Sequence, residues 1–148
     1  MIVAMTPAHV DALMPYEREM FGTEAWSASS YSAEIADTAL RHYLAVEDDD
    51  GALLGWGGVM VIGPAAEILT IGVIPAARRR GLATKLLHAL LDEAVRRGAE
   101  ECFLEVRNDN TAARAFYAAE GFAEIGVRRG YYDHGRVDAV SMRLEFAR

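Results

Sequence analysis

Between Val73 and Leu87 the chain reads VIPAARRRGLATKLL: apolar residues, a proline, a run of arginines, a glycine and then a helix-forming stretch. Such a segment has few ways to fold. The apolar end reads as a strand, Pro75 interrupts it, and a helix starts at Gly81, whose missing side chain lets the backbone turn and approach a ligand. The first N–H groups of a helix have no partner within it and carry about half a positive charge. With Arg78, Arg79 and Arg80 before them and the small Ala83 keeping the next turn uncrowded, they predict a pyrophosphate site. Two other nucleotide motifs fail on spacing. Lys85 follows Gly81 by four residues with no partner glycine for a P-loop, and Gly55-Trp56-Gly57-Gly58 lacks the third glycine of a dinucleotide fingerprint. A plainly solvated helix start is the structural alternative.

The 148 residues, 52% of them apolar, suffice for one domain with a sizeable core, taken here as residues 1–148. The N-terminal MIVAMTPAHV has no basic region ahead of its apolar residues, and no apolar run approaches the roughly 20 residues of a membrane span. A soluble cytoplasmic protein is expected. The one cysteine, Cys102, cannot form an internal disulfide, which fits a reducing compartment. A net charge of −7 argues against nucleic acid as a partner. It suits an anionic cofactor at one basic loop and a cationic partner elsewhere, or simply solubility.

Periodicity gives the order β-α-α-β-β-β-α-β-α-β-β. Ile2 to Met5 reads as an edge strand, and Thr6-Pro7 caps a helix to about Met20. A second helix spans Ser29 to Asp37. Strands at His42 to Glu47 and Leu53 to Ile62 flank the turn at Asp48-Asp49-Asp50-Gly51, whose aspartates lack calcium-loop spacing. Glu67 to Val73 leads into the basic loop. In the central helix, Gly81 to Arg97, Leu82, Leu86 and Leu90 with Leu87, Leu91 and Ala94 form one apolar face. Cys102 to Val106, a helix from Asn110 through Glu120, and strands at Phe122 to Arg129 and Val137 to Phe146 complete an α/β fold. Its mixed sheet carries helices on both sides.

Arg78-x-x-Gly81-x-Ala83 resembles the acyl-CoA loop of the GCN5-related N-acetyltransferase (GNAT) superfamily, and the element order matches that fold over nearly the full length. The resemblance implies acetyl-CoA as cosubstrate. It implies pantetheine contacts from the strand Ile71, Gly72 and Val73, and pyrophosphate contacts from Arg79, Arg80, Gly81, Leu82, Ala83 and Thr84. Acetyl transfer to an amine needs a neutral amine, a stabilised oxyanion and a proton for the departing thiolate. Glu105 lies near the end of the strand after the central helix, where open sheets present residues to ligands. Its structural alternative is a surface pair with Arg107. Tyr117 stands two turns into the next helix, where it is either a proton donor or core packing.

The stretch LEVRNDNTAARAFYAAEGF, Leu104 to Phe122, resembles the ribosomal-protein-alanine N-acetyltransferase branch, as do Arg128-Arg129-Gly130-Tyr131-Tyr132, Asp138-Ala139, Glu19-x-Phe21 and Trp26-Ser27. That resemblance implies Glu105 as proton acceptor, Tyr117 as proton donor, Asn110 as a cofactor contact and a ribosomal protein N-terminus as partner. Ala25 departs from the family's proline before Trp-Ser, and the turn between Tyr-Tyr and Asp-Ala is short. Aromatic and acidic residues gather in two loops. Phe21, Trp26, Tyr131 and Tyr132 are candidates to clamp a peptide, and Glu24, Asp133 and Asp138 to attract its basic residues; packing beneath the loops is the alternative. Cys102 has no evident histidine partner for a thiol route, and His9, His42, His88 and His134 lack metal-ligand spacing. No metal is expected. A modest apolar face leaves monomer and weak dimer both open.

Overall fold

The computed structural model describes residues 1–147. In chain order the elements are β1 (Ile2–Ala4), α1 (Pro7–Phe21), α2 (Ala28–Ala36), β2 (Arg41–Glu47), β3 (Leu53–Ile62), β4 (Ala65–Val73), α3 (Leu82–Arg96), β5 (Glu101–Arg107), α4 (Thr111–Ala119), β6 (Ala123–Tyr132) and β7 (Val137–Glu145). The strands form one mixed sheet in the order β1-β2-β3-β4-β5-β7-β6. Among the described residues only β4 and β5 pair in parallel, joined through α3.

Each face of the sheet has its own core. On one face α3 presents Leu86, Leu87, Leu90 and Ala94, all fully buried, to Val59, Ile68, Leu104 and Met142 of the strands. Burying each of those leucines contributes about 1.5–3 kcal/mol, which fixes the helix that follows the basic loop. On the other face α1 and α2 cover Trp56, Tyr43 and Ala45 with Val10, Leu13, Met14 and Tyr31. The Thr6 side chain accepts from the His9 backbone N–H while His9 Nδ1 accepts from the Thr6 N–H, so this histidine closes a capping box in place of the usual glutamate.

One element differs from expectation. The turn-forming residues from Tyr131 onward point to a strand end near Arg129, yet β6 runs on to Tyr132, which pairs with Val137. Pairing with β7, across a register shift between Arg128 and Tyr132, outweighs local turn preference. Tyr131 and Tyr132 are therefore strand residues, and the turn is confined to Asp133–Gly135.

The far end of α3 carries a fork of charges. Glu93 accepts from Arg96 Nη2 at 2.6 Å and from Arg97 Nε at 2.8 Å, and Arg97 also donates to the Ala39 carbonyl at 3.3 Å. The Arg96 hydrogen bond, followed by that of Arg97, holds the Glu93 carboxyl down to about 2. A carboxylate whose folded pKa lies below its unfolded value of about 4.3 stabilises the fold fully above that value. The contribution disappears as pH falls through about 2. Glu93→Gln should therefore lower the melting temperature at neutral pH, with the gap to wild type closing on acidification. The gap stays small because Arg96 is exposed. A gap unchanged at low pH would contradict the ion-pair origin.

Candidate active site

β4 and β5 pair at only three positions, Ala65 with Glu101, Ala66 with Cys102 and Glu67 with Phe103, and then part. Two features of β4 mark the stretch beyond the last pair. Leu69 is an extra residue between Ile68 and Thr70, which pair with the adjacent Val59 and Gly58 of β3, and such a bulge bends a strand. Gly72 then lies against the buried Trp56, so close that a Cβ there would stand 2.6 Å from the indole. Only glycine leaves room there for the indole of the opposing strand.

The gap opens into a cavity of about 510 Å³. Glu67 to Ile71 of β4 and Leu104 to Arg107 of β5 form its floor. Its walls are Asn110, Ala113 and Tyr117 around α4, Glu17, Met20, Phe21, Glu24 and Trp26 of α1 and the turn after it, and Tyr131 and Tyr132 of β6. A second hollow of about 410 Å³ continues along the same sheet surface and shares Glu67, Leu104 and Glu105 with the first.

Ile71 lines the cavity, whereas Gly72 and Val73, expected beside it, lie outside. β4 leads through Pro75–Ala77 to the start of α3. Gly81 is the N-cap residue in left-handed conformation (φ 75°, ψ 16°), with no side chain capping the first turn. Arg79 also has positive φ, 66°, which a residue with a Cβ rarely adopts. Arg78, Arg79 and Arg80 are exposed, and Arg80 donates to the Ala76 carbonyl at 3.3 Å. The amides of Leu82, Ala83 and Thr84 thus begin a helix with no side-chain acceptor, beside three arginines. This fits a pyrophosphate. Asn110 caps α4, its Oδ1 accepting from the Ala113 N–H at 3.0 Å, while still lining the cavity.

Glu105 does not pair with Arg107. Its Oε2 accepts from Ser141 Oγ at 2.8 Å and its Oε1 from Arg128 Nη1 at 3.2 Å. Arg107 turns instead to Glu24 at 2.7 Å and to Asp109 at 2.9 Å, tying the turn after α1 to the end of β5. The charge of Glu24 is thereby already met. Tyr117 lies between Phe116 and Phe122, with ring centroids at 5.1 and 5.7 Å. Burial pushes its phenol well above the usual tyrosine range, so it keeps its proton throughout the neutral range. Among the described residues nothing hydrogen-bonds its hydroxyl.

Tyr131 and Tyr132 stack edge to face at 4.8 Å, with Arg128 over the first ring at 4.3 Å and Arg107 near the second at 5.8 Å. Phe21 and Trp26 line the same cavity from the α1 side. Asp133 and Asp138 are not part of the lining: Asp138 accepts from the Gly130 N–H at 2.8 Å and shapes the β6–β7 connection, while Asp133 lies in the turn. Cys102 is fully buried in the core beneath α3, against which Tyr117 also packs, and burial pushes its thiol up to about 12. Burial therefore favours the neutral thiol over a thiolate nucleophile.

Two carboxylates in the cavity wall escape the sequence reading. Glu17 is buried on α1, accepting from Tyr31 Oη at 2.5 Å and the Trp26 N–H at 3.0 Å, and thereby anchors the Trp26 turn. Burial raises its carboxyl above the ordinary range. Glu67, the other, is the only charge in the otherwise apolar strand AAEILTIGV, and that isolation is the signal that marks it.

The parting of β4 and β5 thus leads from a cavity walled by Glu105 and Tyr117 to the uncapped N-terminus of α3. The chain belongs to the Acetyltransferase (GNAT) family, which it matches over residues 8–122, and it is an N-acetyltransferase. It is 37% identical to the N-alpha-acetyltransferase RimI of Mycobacterium tuberculosis over 149 residues, covering 97% of this chain and 91% of that one. It is 35% identical to the [ribosomal protein bS18]-alanine N-acetyltransferase of Escherichia coli K12 over 121 residues, 80% of each chain. The crystal structure of the ribosomal-protein-S18-alanine N-acetyltransferase from Escherichia coli superposes with a TM-score of 0.86 at 28% identity, covering 100% of this chain and 94% of that one.

Proposed function

We propose that this single-domain protein is a cytoplasmic N-α-acetyltransferase. It carries the acetyl group of acetyl-CoA to a protein N-terminus, with the N-terminal alanine of a small-subunit ribosomal protein as leading substrate. The observation that carries the reading is the convergence of Glu105 and Tyr117 on one cavity at the parting of β4 and β5. The names of the mycobacterial and Escherichia coli relatives support the choice of an N-terminal amine and of alanine.

In this reading the amides from Arg79 to Thr84 and the arginines hold the pyrophosphate, and Ile71 and Asn110 line the path of the arm. Acetyl-CoA supplies the activated acyl group. Glu105 accepts a proton from the amine, and Tyr117 donates one to the departing sulfur. An α-amine has a reference pKa of about 8 against about 10.4 for lysine, so the N-terminal substrate asks less of a carboxylate base. Phe21, Trp26, Tyr131 and Tyr132 bracket the entrance as a clamp for the first residues of the chain.

The test is acetylation of short peptides that differ in their first residue, followed by mass spectrometry. Turnover should be fastest on alanine, and Trp26→Ala and Tyr131→Ala should raise the peptide KM without moving the acetyl-CoA KM. Equal rates on every first residue, or folded clamp variants with unchanged peptide KM, would contradict the substrate assignment.

A further inference from the structure

The Arg107 guanidinium, on the last residue of β5, meets several walls of the cavity at once. Its Nη1 donates to Glu24 Oε1 at 2.7 Å on the turn after α1. Its Nε and Nη2 donate to the two Asp109 carboxylate oxygens at 2.9 and 3.0 Å on the turn before α4. Its Cζ lies 5.8 Å from the centre of the Tyr132 ring at the end of β6, within cation–π range. The Arg107 carbonyl also accepts from the Asn110 N–H at 3.0 Å, which ties the same residue to the cap of α4. Arg107, Glu24, Asn110 and Tyr132 all line the cavity.

The charges at this mouth are unequal. The Asp109 hydrogen bond and then the charges of Glu24, Asp109 and Asp133 outweigh burial and raise the guanidinium above the ordinary arginine range. One cation thus answers three carboxylates. Among the described residues neither Glu24 nor Asp109 pairs with a second lysine or arginine. A planar fork can grip Asp109 through two nitrogens and still reach Glu24, which the single ammonium of lysine cannot reproduce. Glu24 stands two residues before Trp26, whose N–H is held from α1 by Glu17. The turn that carries Trp26 is therefore fixed from α1 at one end and from β5 at the other.

We propose that Arg107 is a positioning residue that sets the gap between the Trp26 and Tyr132 sides of the peptide clamp, and that by engaging Glu24 and Asp109 it keeps both from selecting basic residues in the peptide. The proposal rests on the peptide-acetylating function above. Without the guanidinium the mouth keeps its carboxylates and loses its cation. A basic side chain of the peptide then enters the place between Glu24 and Asp109, and substrate charge replaces the missing arginine.

The test uses an alanine-led peptide with glutamine at the three positions after the alanine, and the same peptide with one arginine moved through those positions. Wild type should show KM values within about threefold of one another. Arg107→Met should raise the KM of the all-glutamine peptide about tenfold or more while kcat and the acetyl-CoA KM stay in place, and arginine at one of the positions should bring that KM back by about fivefold or more. Arg107→Lys, which keeps the charge without the fork, should fall between. In Glu24→Gln/Arg107→Met the rescue by arginine should shrink, because one of the two carboxylates that receive it is gone. A folded Arg107→Met enzyme within about twofold of wild type, a KM rise equal for every peptide, or an equal rise in the acetyl-CoA KM overturns the proposal. So does a strong preference for arginine already present in wild type. Should Arg107→Met fail to fold, Glu24→Gln decides from the other side: the freed guanidinium should make a glutamate at the same position preferred over arginine, and an unchanged preference overturns the proposal. A wild type that modifies only lysine in N-blocked peptides removes the N-terminal reading, while the same arginine series around that lysine still decides Arg107. A wild type that turns over no peptide overturns both.

Discussion

Glu105→Gln should lower kcat/KM on an alanine-led peptide by about 100-fold or more near neutral pH, the lower end of what a positioned proton acceptor contributes. The amide retains the shape of the side chain and an oxygen for Ser141 Oγ, which in the native protein donates to Glu105 at 2.8 Å, so the fold should persist. What disappears is the acceptor, together with the partner of Arg128. The deficit should depend on pH with a definite sign. Below the α-amine pKa of about 8 nearly every substrate molecule is an ammonium and needs the base; above it the free amine supplies itself. The loss is therefore largest at low pH and shrinks as pH rises. Initial rates across that range, with acetyl-CoA saturating, measure it. Wild-type rates in the variant, or a deficit that grows with pH, would remove Glu105 from the assigned role.

Tyr117→Phe should cost about 100-fold in kcat while leaving acetyl-CoA affinity in place. The ring packs edge-on against Phe116 and Phe122, and phenylalanine preserves both contacts, so stability should hardly move. The hydroxyl has no protein partner among the described residues, so removing it should leave no donor orphaned. Its lost function is the proton for sulfur, which burial keeps on the phenol through the neutral range. A thioester whose thiol is more acidic needs that proton less, so it should narrow the gap between variant and wild type. Thermal shift with acetyl-CoA checks binding, and kcat with two thioesters checks the role. An equal deficit on both thioesters, or weakened cofactor binding, would assign Tyr117 to packing.

The element order was legible because its signals are local. Thr6-Pro7 marks a helix start, the leucines of α3 repeat at helical spacing, and Gly81 stands where the chain enters left-handed space. Side-chain partnerships depend on distant pairing and were not. Glu105 and Arg107 alternate onto one strand face, yet Arg107 reaches Glu24, 83 residues away, and Glu105 meets Ser141, 36 residues away. Tyr131 and Tyr132 precede strong turn residues, yet the partner strand extends β6 through them. Gly72 reads as one glycine among 13, and only the position of Trp56 across the strand pair shows why no side chain fits there. Gly81 at the start of α3 could be named from the chain, and so could Glu105 and Tyr117 as candidates, which the fold brings to one cavity.

The most direct measurement is a single competition: acetyl-CoA, an alanine-led peptide and its N-blocked, lysine-containing twin in one vessel, with the acetyl group located by fragment mass spectrometry. Acetylation confined to the free α-amine is the expected result. Acetyl groups on the lysine of the blocked peptide, with the α-amine untouched, would contradict N-terminal acetylation as the activity of this protein.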